Sequence, residues 1–182
     1  MNLDFNTNLT EEQRAFIDTA RNFANSDISQ YAIKWDRDSY FPENIFKKAG
    51  QLGLGSIYVP ESEGGTGLSR LDASLIFEEL AYACPSTSAF LTIHNMATWM
   101  LSTYGNKELK EKYLQKLISM QNIASYCLTE PSSGSDASSL RTRGIPNKDN
   151  STLSISGSKA FISGAGVSDL YFVMMQTGLN SK

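Results

Sequence analysis

From Thr10 to about Met120 the apolar residues recur every three or four positions, whereas beyond Met120 they fall into short extended runs separated by turn residues. Helices and strands pack in separate layers, so the switch of period predicts two structural halves in one chain. The expectation is an α+β fold. An N-terminal all-α helical bundle occupies residues 1–121, and a β-sheet or barrel domain starts at residue 122.

The helical half has clear punctuation. Thr10 and Gln13 have capping-box spacing, and Phe16, Ile17, Ala20, Phe23 and Ala24 then share a face. Ile28, Tyr31, Ala32 and Trp35 repeat the pattern. Pro42 opens a third helix that should bury Ile45, Phe46, Ala49 and Leu52 before Gly53 stops it. Residues 60–67 read as a surface loop, after which Ser69 starts a helix with Leu71, Leu75, Ile76 and Leu80 inward. The next helix, ending at Gly105, places Phe90, Ile93, Met96, Ala97 and Met100 on one stripe. It carries few charges on any side, as the centre of a bundle would. Asn106 caps a sixth helix with Leu109, Tyr113, Leu114 and Leu117 inward.

Strands are expected over residues 123–129, 153–156, 160–163 and 170–176, with Pro146, Asn147, Lys148, Asp149 and Asn150 as a hairpin connection. A sheet of about 60 residues ending on a polar tail from Gly178 leaves an edge and a face uncovered, from which the polypeptide is expected to be incomplete.

Several function classes lose support. Sixteen Lys and Arg against 19 Asp and Glu give no basic stripe for nucleic acid. Two cysteines, Cys84 and Cys127, and one histidine, His94, give no zinc spacing. The apolar run of residues 89–101 is too short to span a bilayer, and residues 1–8 lack the marks of a signal or transit segment. Asn150-Ser151-Thr152 matches a glycosylation sequon with no expected use. His94 reads as a hydrogen-bonded core residue, because no carboxylate lies at helical spacing to orient it as a base. Glu61, Glu63, Glu78 and Glu79 read as solvated or capping groups. Neither a Gly-x-Gly-x-x-Gly nor a P-loop occurs.

Two runs could carry chemistry. In Thr129-Glu130-Pro131-Ser132-Ser133-Gly134-Ser135-Asp136, small residues and successive amides suit a pyrophosphate. In Ser158-Lys159-Ala160-Phe161-Ile162-Ser163-Gly164-Ala165-Gly166, a strand would put the Phe161 ring and the Ser163 hydroxyl on one face, for stacking on a planar cofactor and bonding to a ring nitrogen. A plain Ser/Gly connection and an ordinary strand ending in a glycine turn have the same composition. Taken singly, the residues leave both readings open.

Joined to the preceding Tyr126-Cys127-Leu128, the first run resembles the leading signature of the acyl-CoA dehydrogenase family, and the second resembles that family's later flavin-contacting strand. The likeness extends over nearly the whole chain, from Leu9-Thr10-Glu11-Glu12-Gln13 onward. Thr92-Ile93-His94-Asn95-Met96, Trp99-Met100, the Gly-Leu-Ser-Arg-Leu-Asp of residues 67–72 and Phe161, where many relatives have Trp, resemble the branch that takes isobutyryl-CoA.

The resemblance implies an N-terminal helical domain and the start of the middle β domain, with the C-terminal helical domain absent. It implies FAD as cofactor, held by Tyr126, Cys127, Leu128, Thr129, Glu130, Pro131, Ser132, Ser133, Gly134, Ser135, Phe161, Ile162 and Ser163. Thr129 would bond the pyrimidine end of the ring, and Ser135 would reach both pyrophosphate and thioester. Phe161 would cover the ring, and Ser163 would bond near its hydride-accepting nitrogen. Ser132 and Ser133 replace the more usual Gly-Ser or Gly-Ala, adding bulk while keeping backbone donors.

In such a family a glutamate removes the substrate's α proton, the flavin takes the β hydride, and electron-transferring flavoprotein reoxidises it. The full-length form would be a homotetramer of the mitochondrial matrix, or of the cytoplasm in a bacterium, converting isobutyryl-CoA to methacrylyl-CoA in valine breakdown. Its base glutamate matches no segment here, so this chain is expected to be inactive alone. The competing expectations are a non-catalytic binding protein that kept the helical domain, and an unrelated helical-plus-β module in which both runs are coincidental.

Overall fold

A computed structural model describes residues 9–147 and 152–178. The readings placed on residues 1–8, on Lys148, Asp149, Asn150 and Ser151, and on the tail from residue 179 lie outside the described residues. The chain forms two compact units, Met1–Asn122 and Ile123–Lys182.

The first unit is helical. Helix α1 (Glu11–Phe23) starts from a complete capping box, in which the Thr10 hydroxyl accepts from the Gln13 amide and the Gln13 side chain accepts from the Thr10 amide, each at 3.1 Å. It buries Ile17, Ala20 and Phe23. A π-helical turn, Ala24–Ile28, follows directly and leads to α2 (Ala32–Arg37), which buries nothing. Between the two, residues 29–31 form a turn, closed by Tyr31 N donating to Ile28 O at 2.9 Å, and this breaks the continuity assumed for Ile28, Tyr31, Ala32 and Trp35. Only Ile28 is buried; Tyr31 is exposed and stacks on Trp35 at 5.7 Å.

Helix α3 (Glu43–Gln51) buries Ile45, Phe46 and Ala49. Leu52 was expected beside them and is instead exposed, because the chain leaves the helix there and turns at Gly53, φ 78°. The end of α3 lies flush against the end of a later helix. A Cβ on Gly50 would stand 2.2 Å from the Ser119 carbonyl oxygen, so no other residue fits.

Residues 60–67 hold a short 3₁₀ turn, Glu61–Glu63, where only irregular loop was expected. Glu63 is not a solvated group: its carboxylate accepts from Ser102 at 2.6 Å and from Lys110 at 2.8 Å, tying the loop to two helices. Those bonds, Lys110 first, hold the Glu63 carboxyl below the usual range.

Helix α4 (Arg70–Ala83) begins with a second capping box, Ser69 with Asp72. The two boxes are joined, since the Gln13 side chain donates to Asp72 at 2.9 Å. Arg21 adds a two-bond contact to Glu79, at 2.7 and 2.9 Å. The buried face of α4 is Ala73, Ile76 and Leu80, with Leu71 outside.

Helix α5 (Pro85–Tyr104) has ten buried residues, in keeping with the central helix expected, but its inward face is not the predicted stripe. Phe90 and Ala97 are buried as expected, while Ile93, Met96 and Met100 are half-buried. In their place His94, Asn95, Thr98 and Ser102 point inward. Helix α6 (Lys107–Ile118) is capped by Asn106 and buries Leu114 and Leu117; Leu109, in its first turn, is exposed.

The reason for the rotated face of α5 is hydrogen bonding. Leu54, Gly55, Ser56 and Ile57 are buried yet outside any helix, so their backbone groups need partners. Asn95 supplies them: its oxygen accepts from Ile57 N at 2.7 Å, and its Nδ2 donates to Leu54 O at 2.7 Å and to Leu91 O at 2.9 Å. One residue earlier, His94 Nε2 lies 2.9 Å from the Leu117 carbonyl oxygen of α6. The core histidine expected from sequence is what the fold contains; burial pushes it down to about 4.

In the second unit, β1 (Ala124–Cys127) pairs in parallel with β4 (Leu170–Val173), with Ala124 opposite Leu170. β2 (Arg143–Pro146) pairs antiparallel with β3 (Leu153–Ser156). Residues 160–163 are not a strand: Phe161 has φ 57°, in the left-handed region, and the chain then turns through Gly164 and Gly166. Conversely, no strand was expected over Arg143-Gly144-Ile145-Pro146, whose last residue was placed in the hairpin connection, and these four residues form β2 by pairing with β3. No described helix is long and apolar enough to cross a membrane.

Replacing Asn95 by Leu strands Ile57 N–H and Leu54 C=O without partners and should cost about 3 kcal/mol, measured as a shift in the urea midpoint. His94 makes stability pH-dependent. The folded ring takes a proton only near 4, the unfolded one near 6.5, so the unfolded state binds more protons between those values. Stability should therefore fall by about 3 kcal/mol as pH drops through that window, and His94→Gln should lack this component.

Candidate functional site

The site is built in the second unit, around the segment that follows β1. Glu130 N donates to Ser133 O at 2.9 Å and Ser133 N to Glu130 O at 3.1 Å, closing a tight turn with Pro131 and Ser132 at its tip. The Ser133 hydroxyl turns inward and donates to the Asp136 carbonyl. Asp136 in turn accepts from the hydroxyls of Ser138 and Ser139, which hold its carboxyl below the usual range.

What remains outside is a set of donors. Ser132, Gly134 and Ser135 are exposed, and among the described residues their amides and the two serine hydroxyls have no protein partner. A Cβ placed on Gly134 would meet nothing within 4 Å, so this side of the loop is open to an incoming group. Successive unpaired N–H groups beside hydroxyls suit an anion such as a phosphate.

The second run lies against the first. Ala160 N donates to Thr129 O at 2.9 Å, and the Lys159 ammonium donates to Leu128 O and to Glu130 Oε1, each at 2.9 Å. Beyond this junction the left-handed Phe161 is 95% exposed. On its far side the Ser125 hydroxyl donates to Ser163 O at 2.6 Å, leaving the exposed Ser163 side chain outward. An aromatic ring presented to solvent, on a segment bonded to the one that carries the donors, is suited to a flat ring with an anionic tail.

The residues singled out by sequence thus divide. Ser132, Gly134, Ser135, Phe161 and Ser163 are exposed; Tyr126, Leu128, Thr129 and Ile162 are half-buried, and Pro131 is at the exposed tip. Cys127, Glu130 and Ser133 are buried. Burial raises the Cys127 thiol, with Lys159 opposing, which argues against a nucleophile.

Glu130 is only 4% exposed, and its carboxylate accepts from Arg141 N at 2.6 Å, Thr142 N at 2.9 Å and Lys159 Nζ at 2.9 Å. The Thr142 hydroxyl lowers the carboxyl most, although its geometry falls short of a hydrogen bond to any group; with the two amides and Lys159 it holds Glu130 at about 2. Arg141 and Thr142 were not anticipated, since a backbone amide leaves no mark in sequence. Lys159 could have been noticed as the lone cation in an otherwise small and apolar run.

This fold places the chain in a known class: it belongs to the acyl-CoA dehydrogenase family. Residues 10–121 match the family's N-terminal domain and residues 125–182 its middle domain. Among individual proteins, the mitochondrial isobutyryl-CoA dehydrogenase of Dictyostelium discoideum is 52% identical over 170 residues, covering 93% of this chain and 40% of that protein. The mitochondrial isobutyryl-CoA dehydrogenase of Bos taurus is 47% identical over 176 residues, covering 97% of this chain and 42% of that protein. A solved structure described as the FAD complex of PigA superposes with a TM-score of 0.85 at 29% identity, covering 96% of this chain and 45% of that one. The chain spans less than half the length of these relatives.

The folded Glu130 carboxyl keeps its charge down to about 2, whereas an unfolded one protonates near 4.5, so the unfolded state binds more protons in between. The stability that Glu130 contributes is therefore complete above about 4.5 and is lost as pH falls toward 2. Urea unfolding of the wild type and Glu130→Gln across that range should show an advantage for the wild type at pH 6 that disappears at the acid end.

Proposed function

We propose that this chain is the N-terminal and middle part of an FAD-dependent enzyme that oxidises a short branched acyl-CoA, isobutyryl-CoA to methacrylyl-CoA. What carries the reading is the pairing, in one small unit, of an outward donor loop with an outward aromatic ring, together with the identity to two isobutyryl-CoA dehydrogenases.

The residues present fit the cofactor. The amides of Ser132, Gly134 and Ser135 and their open surroundings suit its pyrophosphate, and the exposed Phe161 face suits its ring system. When bound, FAD supplies the hydride acceptor for the β carbon. Thr129 and Ser163 would offer hydroxyls to the polar edge of the ring, Phe161 would cover it and shield it from water, and Ser135 would bind phosphate and thioester. Lys159 is engaged inward and leaves anion binding to the loop.

The base that takes the α proton is not among the carboxylates of this loop. Glu130 is buried and held at about 2, and Asp136 is taken up by two serine hydroxyls, so neither is matched to proton abstraction near neutral pH. By resemblance to the family, the base is proposed to be a glutamate outside this sequence, and the chain is proposed to be inactive by itself. Electron-transferring flavoprotein is the proposed electron acceptor and a homotetramer the proposed assembly, as the resemblance implies, and the mitochondrial matrix is the proposed compartment, both relatives being named as mitochondrial.

A chimera that continues this chain with the remainder of the Dictyostelium relative should be yellow and should bleach anaerobically on adding isobutyryl-CoA, while the chain alone stays colourless and reduces no dye. A folded, yellow chimera that isobutyryl-CoA does not bleach, or an active chain on its own, would overturn the reading. In the chimera, Ser135→Ala should weaken binding of FAD or isobutyryl-CoA about tenfold by removing one hydrogen bond; unchanged affinity for both removes Ser135 from the site.

A further inference from the structure

The Glu130 carboxylate, expected among the cofactor contacts, faces away from the open side of the loop. We propose that Glu130 and Lys159 are a pair of positioning residues, which set the spacing between the donor loop and the Phe161 ring without touching the cofactor themselves. The inference rests on the FAD reading given above.

The geometry assigns each partner a distinct part. Lys159 immediately precedes the Ala160-Phe161 turn, and its side chain is 12% exposed. Its ammonium reaches back to the segment before the donor loop, donating to Leu128 O at 2.9 Å and to Glu130 Oε1 at 2.9 Å. Between these two bonds runs a third, Ala160 N to Thr129 O at 2.9 Å. Three consecutive residues of one segment, 128–130, are thus bonded to two consecutive residues of the other, 159 and 160. Glu130 anchors the arrangement from below, because its two oxygens also accept from Arg141 N and Thr142 N, where the chain enters β2. The carboxylate therefore joins three stretches that are far apart in sequence.

A charge so enclosed is costly unless every bond to it is made, which makes the arrangement all-or-none: removing either partner leaves the other buried and unpaired. The groups at stake next in sequence are the half-exposed Thr129 on one side and the exposed Phe161 on the other. A shift in the junction moves the donor row relative to the ring, and small displacements of positioning groups cost binding out of proportion to their size.

Two measurements test this. In this chain without FAD, amide exchange of Ala160 should be about tenfold faster in Lys159→Met than in the wild type, since the bond to Thr129 O loses its flanking support. In the chimera described above, Lys159→Met and Glu130→Gln should each weaken FAD binding about tenfold and alter the near-ultraviolet and visible dichroism of the bound flavin. The double variant should be no worse than the worse single, because both act through one junction. Lys159→Arg, which retains a cation and several donors, should restore most of the affinity and the dichroism.

Variants that lose thermal stability yet bind FAD with wild-type affinity and dichroism would overturn the proposal and leave the pair a structural role only. Unchanged Ala160 exchange would overturn it as well. A folded wild-type chimera that binds no FAD sinks the FAD reading itself, and with it the positioning role toward that cofactor; Ala160 exchange then still decides whether the pair sets the junction.

Discussion

Backbone that is buried without being helical or paired in a sheet must find hydrogen-bond partners elsewhere, and in this protein single side chains meet that need. In the first unit Asn95 serves Leu54 and Ile57, which lie where the chain has left α3 and not yet formed its loop. In the second, Glu130 serves Arg141 and Thr142, where the chain has left a serine-rich turn and not yet entered β2. Both are polar residues buried at positions that no hydrophobic pattern in the sequence marks as core. Both are buried because the alternative is an unsatisfied peptide group.

This explains which parts of the fold were legible in the sequence. The caps were, because Thr10 with Gln13 and Asn106 with Leu109 act within one helical turn and need no distant partner. The β3 span was also read correctly, and the switch of period near Met120 located the first strand to within a few residues. Helix faces were less legible. The apolar stripe assigned to α5 is displaced because Asn95 and His94 have inward partners, in residues 54–57 and in α6, that no local window contains. The stripe continued through α2 fails for another reason: the chain leaves the helix in a turn at residues 29–31, between Ile28 and α2.

The same limit applies at the candidate site. The run from Tyr126 to Asp136 is continuous in sequence, yet its residues face two ways: Glu130 and Ser133 inward, Ser132, Gly134 and Ser135 outward. The division follows from a tight turn in which residues 130 and 133 exchange backbone bonds, so the side chains at its base are covered and those at and after its tip are not. Periodicity has nothing to report in such a segment. Inferring a strand for residues 160–163 failed in the same way: alternation of Ala, Phe, Ile and Ser is compatible with extended backbone, but a left-handed Phe161 is not.

Phe161 combines two features that oppose local stability. A non-glycine residue in the left-handed region costs on the order of 1 kcal/mol or more, and an aromatic ring almost wholly in water forgoes the burial that normally retains it. A glycine would relieve the first and a serine the second, as in an ordinary turn. The surrounding bonds hold the strained residue from both sides: Ala160 N to Thr129 O before it, and Ser125 Oγ to Ser163 O after it, with Lys159 fixed to Leu128 and Glu130 one step further back. A fold that determines a locally unfavourable conformation so fully, and puts a ring rather than a small residue there, is organised around presenting that ring. Conflict between local preference and tertiary constraint thus falls on the residue proposed to meet the cofactor, next to a strand, β1, that is largely buried and paired with β4.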